Sequence, residues 1–130
     1  MYFYHEGSPI NSLSPKLSNY KKDKPFIKKV STELLENVLK RFNIKLFDYI
    51  NIDVEGHELE VLNNFDIQLY KPKVVSVEYL DFTMNKLVFK NNKLENIIDS
   101  ELYKYFIKND YCFVNWIHSD LIFVHKDFRD

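Results

Sequence analysis

Residues 49–62 constrain the fold of this chain more than any other stretch. They read Tyr49-Ile50-Asn51-Ile52-Asp53-Val54-Glu55-Gly56-His57-Glu58-Leu59-Glu60-Val61-Leu62. An apolar run, Leu46 to Val54, is expected to be a strand covered by helices on both faces. It meets an acidic cluster and one glycine, then passes at once into an amphipathic helix whose buried face is Leu59, Leu62 and Phe65. Gly56 lets the backbone turn tightly or approach a ligand closely. In open α/β sheets, ligands bind outside the carboxyl ends of strands. Three carboxylates and an imidazole at such a corner therefore mark a candidate site.

The flanking sequence repeats the alternation. Gly7, Pro9, Pro15 and Pro25 punctuate residues 1–25, which read as irregular. Phe26 to Val30 is a candidate short strand. Ser31 offers a helix N-cap, and Leu34, Leu35, Val38, Leu39 and Phe42 follow at helical spacing. Pro72 bars helix at Lys71 and opens a valine-rich buried strand, Lys73 to Tyr79. Residues 81–93 read as a polar loop with a candidate strand at Lys86 to Phe89. Leu94, Ile97, Ile98, Leu102 and Phe106 form one further helical stripe. Tyr111 to Ile117 and Leu121 to His125 are strands separated only by His118-Ser119-Asp120, which predicts an antiparallel hairpin. The order β-α-β-α-β-α-β-β predicts an α/β fold with a parallel sheet, right-handed crossovers and an antiparallel edge.

Composition narrows the function classes. A chain of 130 residues is one domain at most, and 45% apolar content is enough for a real core. A net charge of −1 gives no general attraction to nucleic acid or anionic lipid. No cluster of basic residues interleaved with aromatics suggests a nucleic-acid site. The single cysteine, Cys112, excludes an internal disulfide and any multi-cysteine metal site, and its apolar surroundings predict a buried, inert thiol. No apolar run approaches the length of a membrane span, and the N-terminus lacks a basic-then-apolar leader pattern. A soluble cytoplasmic protein is the expectation.

Each candidate residue has a functional and a structural reading. Asp53, at the carboxyl end of the strand, either faces a cofactor or substrate, helps hold a divalent cation, or caps the next helix. Glu55 and Glu58 could supply a base or acidify a hydroxyl through a metal. Like charges so close repel, which favours a cation or a basic partner. The structural reading makes Glu58 and Glu60 exposed first-turn residues stabilised by the helix dipole. For Glu60 that reading is preferred. His57 has the ordinary pKa of a general base, but a histidine near a helix start is more often a surface or cap residue. Glu78 ends the second central strand and could share Asp53's cleft, or accept hydrogen bonds from loop backbone. His118 and Asp120 lie in a turn where polar residues are commonplace. His5 and His125 lack partners at ligand spacing.

The run Asp48-Tyr49-Ile50-Asn51-Ile52-Asp53-Val54-Glu55-Gly56-His57-Glu58, the Glu60-Val61-Leu62 after it and Lys71-Pro72-Lys73-Val74-Val75-Ser76-Val77-Glu78 resemble the signature of FkbM-type methyltransferases. The tail Ile122-Phe123-Val124-His125-Lys126 is similar to the family's last strand. The resemblance spans residues 26–126 and is strong at 48–62 and 71–78. It implies a class I methyltransferase-like Rossmann sheet, here truncated at its N-terminal side, whose strands 4, 5, 6 and 7 are Phe47–Val54, Lys73–Tyr79, Tyr111–Ile117 and Leu121–His125. It implies S-adenosylmethionine as cofactor and a small-molecule acceptor, a hydroxyl of a sugar or secondary metabolite. On this reading Asp53, Glu55 and Gly56 contact the cofactor, Asp53, His57 and Glu58 are catalytic, and Glu78 meets the substrate. Such enzymes also hold the cofactor's amino-acid end over a glycine-rich loop, with an acidic residue further on for the ribose. The chain has only Gly7 and Gly56, so no Gly-x-Gly occurs anywhere in it.

Domains are thus expected as an irregular segment over 1–25, a partial methyltransferase domain over 26–126 and a tail over 127–130. Three functions compete. The first is the methyltransferase. The second is a non-catalytic subunit or fragment that self-associates or needs a partner chain to complete its sheet. The third is a metal-dependent nuclease or hydrolase using Asp53, Glu55 and Glu78. It ranks last because a nuclease core of the Glu-x-Lys kind would want lysine where Leu80 stands.

Overall fold

The computed structural model describes residues 1–3, 26–80 and 93–129. The expected irregularity of residues 4–25, the loop over 81–92, its candidate strand Lys86 to Phe89, and His5 lie outside the described residues. The chain divides into two compact units, Met1–Glu33 and Leu34–Asp130.

In the first unit, β1 (Tyr2–Phe3) pairs antiparallel with β2 (Phe26–Ile27). The Met1 ammonium donates to the Lys28 carbonyl at 3.0 Å, and the Lys28 N–H returns a bond to the Met1 carbonyl at 2.8 Å. The expected strand at Phe26 to Val30 is therefore shorter and belongs to a separate two-stranded ladder, not to the main sheet. Its sequence explains why. Lys28 and Lys29 follow at once, and Phe26 and Ile27 are both exposed. A central strand would have to bury both faces.

The second unit is built on a four-stranded mixed sheet in the order β3 (Tyr49–Ile52), β4 (Val74–Glu78), β6 (Asp120–His125), β5 (Tyr111–Ile117). β3 and β4 are parallel, with Ile52 level with Val77. β6 runs antiparallel to both β4 and β5, so the hairpin joins the sheet through its second strand. Its turn is two residues, His118 and Ser119, with His118 at φ 56°. β4 carries the centre, where Val75, Ser76 and Val77 are all buried. β3 departs from the expectation of cover on both faces. Ile52 is buried, whereas Tyr49 and Asn51 are exposed. Among the described residues β3 pairs on one side only, as an edge strand.

The helices follow the apolar stripes, with local corrections. α1 (Leu35–Arg41) starts after Ser31, and Leu34 occupies the cap position without a side-chain bond. Only Leu39 of the predicted stripe is buried, while Leu34 and Phe42 are exposed. An i,i+4 pair of Glu36 and Lys40 at 3.0 Å supports the outer face. α2 is Glu58–Asn63. The short α3 (Ile67–Tyr70) is capped by Asp66, whose carboxylate accepts the Leu69 N–H at 2.9 Å. Four residues carry no readable period, so the sequence pattern missed it. The stripe from Leu94 to Phe106 divides into α4 (Leu94–Asp99) and α5 (Glu101–Lys108). Ser100 breaks it by adopting an extended backbone. Its hydroxyl donates to the Ile97 carbonyl at 2.6 Å and accepts the Tyr103 N–H at 3.1 Å. Serine competes with helix in this way.

The core gathers on one face of the sheet, where Ile52, Val75, Val77, Leu121 and Phe123 meet the helices. Phe106 stacks on Phe123 at 4.2 Å, and both are fully buried. The buried Tyr111 hydroxyl donates to the Pro72 carbonyl at 2.6 Å, tying β5 to the start of β4. Cys112 is half-buried, less enclosed than its sequence context predicted.

Candidate functional site

The register of the sheet assembles the site. One residue beyond the level pair Ile52 and Val77 come Asp53 and Glu78. Across the next ladder Glu78 is paired with Asp120. Three carboxylates thus form a row across three strands at one end of the sheet, where like charges oppose directly and destabilise one another. Asp120 was missed in the sequence, where it read as a turn residue. Its place depends on a two-residue turn and on the pairing of β6 with β4, and no local pattern encodes the second.

The corner after β3 adds more acid. Glu55 is half-buried and adopts a left-handed backbone at φ 55°, followed by Gly56 at φ 89°. Burial raises the Glu55 pKa above the ordinary carboxylate range, and Asp53 and Glu58 add to the rise. Glu78 is pushed further, to about 8, first by burial and then by Asp53, Glu55, Glu58 and Asp120. One Glu78 oxygen, Oε2, is buried and has no hydrogen-bond partner among the described residues. Glu78 therefore carries its proton near neutral pH, as a carboxylic acid among carboxylates.

Two structural readings from the sequence need correction. α2 begins at Glu58 with His57 in the cap position, so Asp53 does not cap that helix. Glu58 is not an exposed first-turn residue. It is 6% exposed, and its Oε1 accepts the N–H groups of Val54 at 3.1 Å and Gly56 at 3.0 Å.

A family model for the methyltransferase FkbM domain matches residues 2–105. The chain belongs to the FkbM methyltransferase family. No match was found among curated proteins or among solved structures. The FkbM match takes in both stretches on which the resemblance was strong. It also includes residues 2–25, ahead of the range over which the sequence resembled the family. Of the acidic residues named here, Asp53, Glu55, Glu58 and Glu78 fall inside the match and Asp120 lies beyond it.

His57 sits in the cap position ahead of α2. Its Nδ1 lies 2.6 Å from Glu60 Oε2, one turn along α2. Glu60, read from the sequence as a plain surface residue, is therefore the group that fixes the ring. The i,i+3 spacing was the signal for it. Among the described residues no group of three or more His, Cys, Asp or Glu is arranged to hold a metal ion. The divalent cation considered for Asp53 thus gains no support. No helix among the described residues is long and apolar enough to cross a membrane.

Chemically, the arrangement offers negative charge held against a half-buried surface, one protonated carboxyl and one oriented imidazole. An electropositive small molecule seated against the row would relieve the repulsion that the fold imposes on it.

Proposed function

We propose that the chain is an S-adenosylmethionine-dependent methyltransferase with a class I Rossmann-like core, acting on a hydroxyl of a small molecule such as a sugar or secondary metabolite. The observation that carries this is the convergence of Asp53, Glu55 and Glu78 at the carboxyl ends of two parallel strands, in a chain of this family. The parallel β3–β4 pair with an antiparallel hairpin beside it supports the fold assignment.

Two features of the corner support this cofactor. Its sulfonium and ammonium groups are cationic, and the carboxylates of Asp53 and Glu55 at the corner are complementary to them. Gly56 at φ 89° has no Cβ to obstruct close approach. When bound, the cofactor supplies an electrophilic methyl group. The hydroxyl acceptor must lose a proton as it is methylated, and His57 is the base assigned to take it. Glu60 holds Nδ1–H, which leaves Nε2 as the accepting atom. Asp53 flanks the reacting centre, and the protonated Glu78 donates a hydrogen bond to the acceptor.

The test is transfer of a labelled methyl group to a panel of hydroxylated acceptors. The wild-type chain labels an acceptor, and His57→Ala abolishes labelling while leaving cofactor binding intact. Equal labelling by the variant would remove His57 from the reaction.

A second reading is a subunit completed by a partner chain or by self-association. Two observations favour it: the one-sided pairing of β3 among the described residues, with Leu46 80% exposed just before it and Tyr49 57% exposed within it, and the presence of only two glycines in the chain. Light scattering separates the readings, since a monodisperse monomer that methylates alone rules the second out.

A further inference from the structure

We infer that Glu58 is a positioning residue: its buried carboxylate clamps the Val54–Gly56 corner so that Asp53 and Glu55 are presented at the end of β4, and it does not itself touch substrate or cofactor. This rests on the proposed function in one respect, that the corner faces the cofactor.

The geometry begins with the backbone. Two consecutive left-handed residues, Glu55 at φ 55° and Gly56 at φ 89°, turn the chain sharply between β3 and α2. For glutamate this conformation is unfavourable, because its Cβ crowds the following carbonyl. It persists only where the surroundings over-determine it. Glu58 is what over-determines it here. From the first position of α2 its side chain reaches back, and a single oxygen accepts the N–H groups on either side of Glu55, at 3.1 and 3.0 Å. Hydrogen bonds to a carboxylate are stronger than neutral ones. With Glu58 6% exposed, removing it strands two amide donors as well as a bend.

The same geometry argues against a catalytic role. Glu58 Oε1 is held by both amides in the resting structure, and the residue is 6% exposed, which sets it back from an acceptor that a base must reach. Asp53 is exposed and Glu55 half-buried, so they are the carboxylates the corner offers outward. The sequence could place Glu58 at a helix start but could not show which way its side chain turned.

A clamp and a catalyst respond differently to glutamine. The amide oxygen of Gln can accept both N–H groups, whereas it cannot act as a base. The experiment compares the full wild-type chain, Glu58→Gln and Glu58→Ala in two measurements. Amide hydrogen exchange reads Val54 and Gly56 directly and needs no cofactor. Calorimetric titration with S-adenosylmethionine reads the site. In Glu58→Ala, exchange at both amides speeds up and cofactor affinity falls, each by about tenfold or more, equivalent to roughly 1.4 kcal/mol. Glu58→Gln keeps both amides protected and binds cofactor within about threefold of wild type. Should the alanine variant not fold, Glu58→Gln decides alone, by retaining protection at both amides together with affinity. Unchanged exchange in Glu58→Ala would overturn the clamp, as would a glutamine variant whose affinity is lost as deeply as alanine's. Protection that follows the predicted pattern in a chain that binds no cofactor would support the clamp and refute the methyltransferase reading.

Discussion

Glu78→Gln tests the electrostatics of the site through stability. In the folded chain the Glu78 carboxyl titrates near 8, against an ordinary value of 4.5. Between these values the native state holds a proton that the unfolded state releases, so stability falls as pH rises from about 4.5 to 8. At about 1.36 kcal/mol per pH unit, the interval sets an upper bound of roughly 5 kcal/mol. Water reaches part of the group and screens its four acidic neighbours, which reduces this to about 2 kcal/mol. Glutamine has nearly the same shape and no charge to lose. The variant is therefore close to wild type in stability at about pH 4 and more stable by about 2 kcal/mol at about pH 9. Urea unfolding across this range, read from the fluorescence of Trp116, the sole tryptophan, measures the difference directly. With a slope of about 1.5 kcal/mol per molar urea, the midpoint of the variant exceeds that of wild type by about 1.3 M at the alkaline end. A difference between the two proteins that does not change with pH would refute the reasoning, because burial among carboxylates has no other signature of that sign.

Other perturbations reach the rest of the fold. Ser100→Ala removes the cap of α5 and the break between α4 and α5, and lowers stability by about 1 kcal/mol in the same urea assay. Tyr111→Phe leaves the Pro72 carbonyl without its buried donor and costs about 1–2 kcal/mol, with little change in the far-ultraviolet dichroism. Burial, and then Lys71, depress the His125 pKa below 6.5, so the unfolded chain takes up the proton first and stability declines as pH drops below about 6.5. His125→Gln flattens that decline below about pH 6.5, read from the urea midpoints.

What the sequence made legible was local. The β3 corner, the valine strand β4 and the closing hairpin each have a period, a breaker or a turn within a few residues. The resemblance carried by residues 48–62 and 71–78 led to the family that the domain match shows. Contacts between distant segments were not legible. The row of Asp53, Glu78 and Asp120 requires β6 to lie between β4 and β5, and hairpin spacing alone does not say which strand of the pair meets β4. The inward turn of Glu58 is a matter of rotamer and loop path, to which residue type is blind, whereas the pairing of His57 with Glu60 had a signal in its i,i+3 spacing. Ser100 read as tolerable within one helix because its stripe continues at the correct spacing on both sides of the break.

The central claim is that the acidic corner between β3 and α2 receives a cationic methyl donor. Calorimetric titration of the folded wild-type chain with S-adenosylmethionine, repeated with Asp53→Asn and Glu55→Gln, tests it most directly. The account predicts saturable binding at one site, weakened by about tenfold or more in each variant, equivalent to roughly 1.4 kcal/mol. Absence of saturable binding to the folded chain, or binding that neither substitution alters, would contradict it.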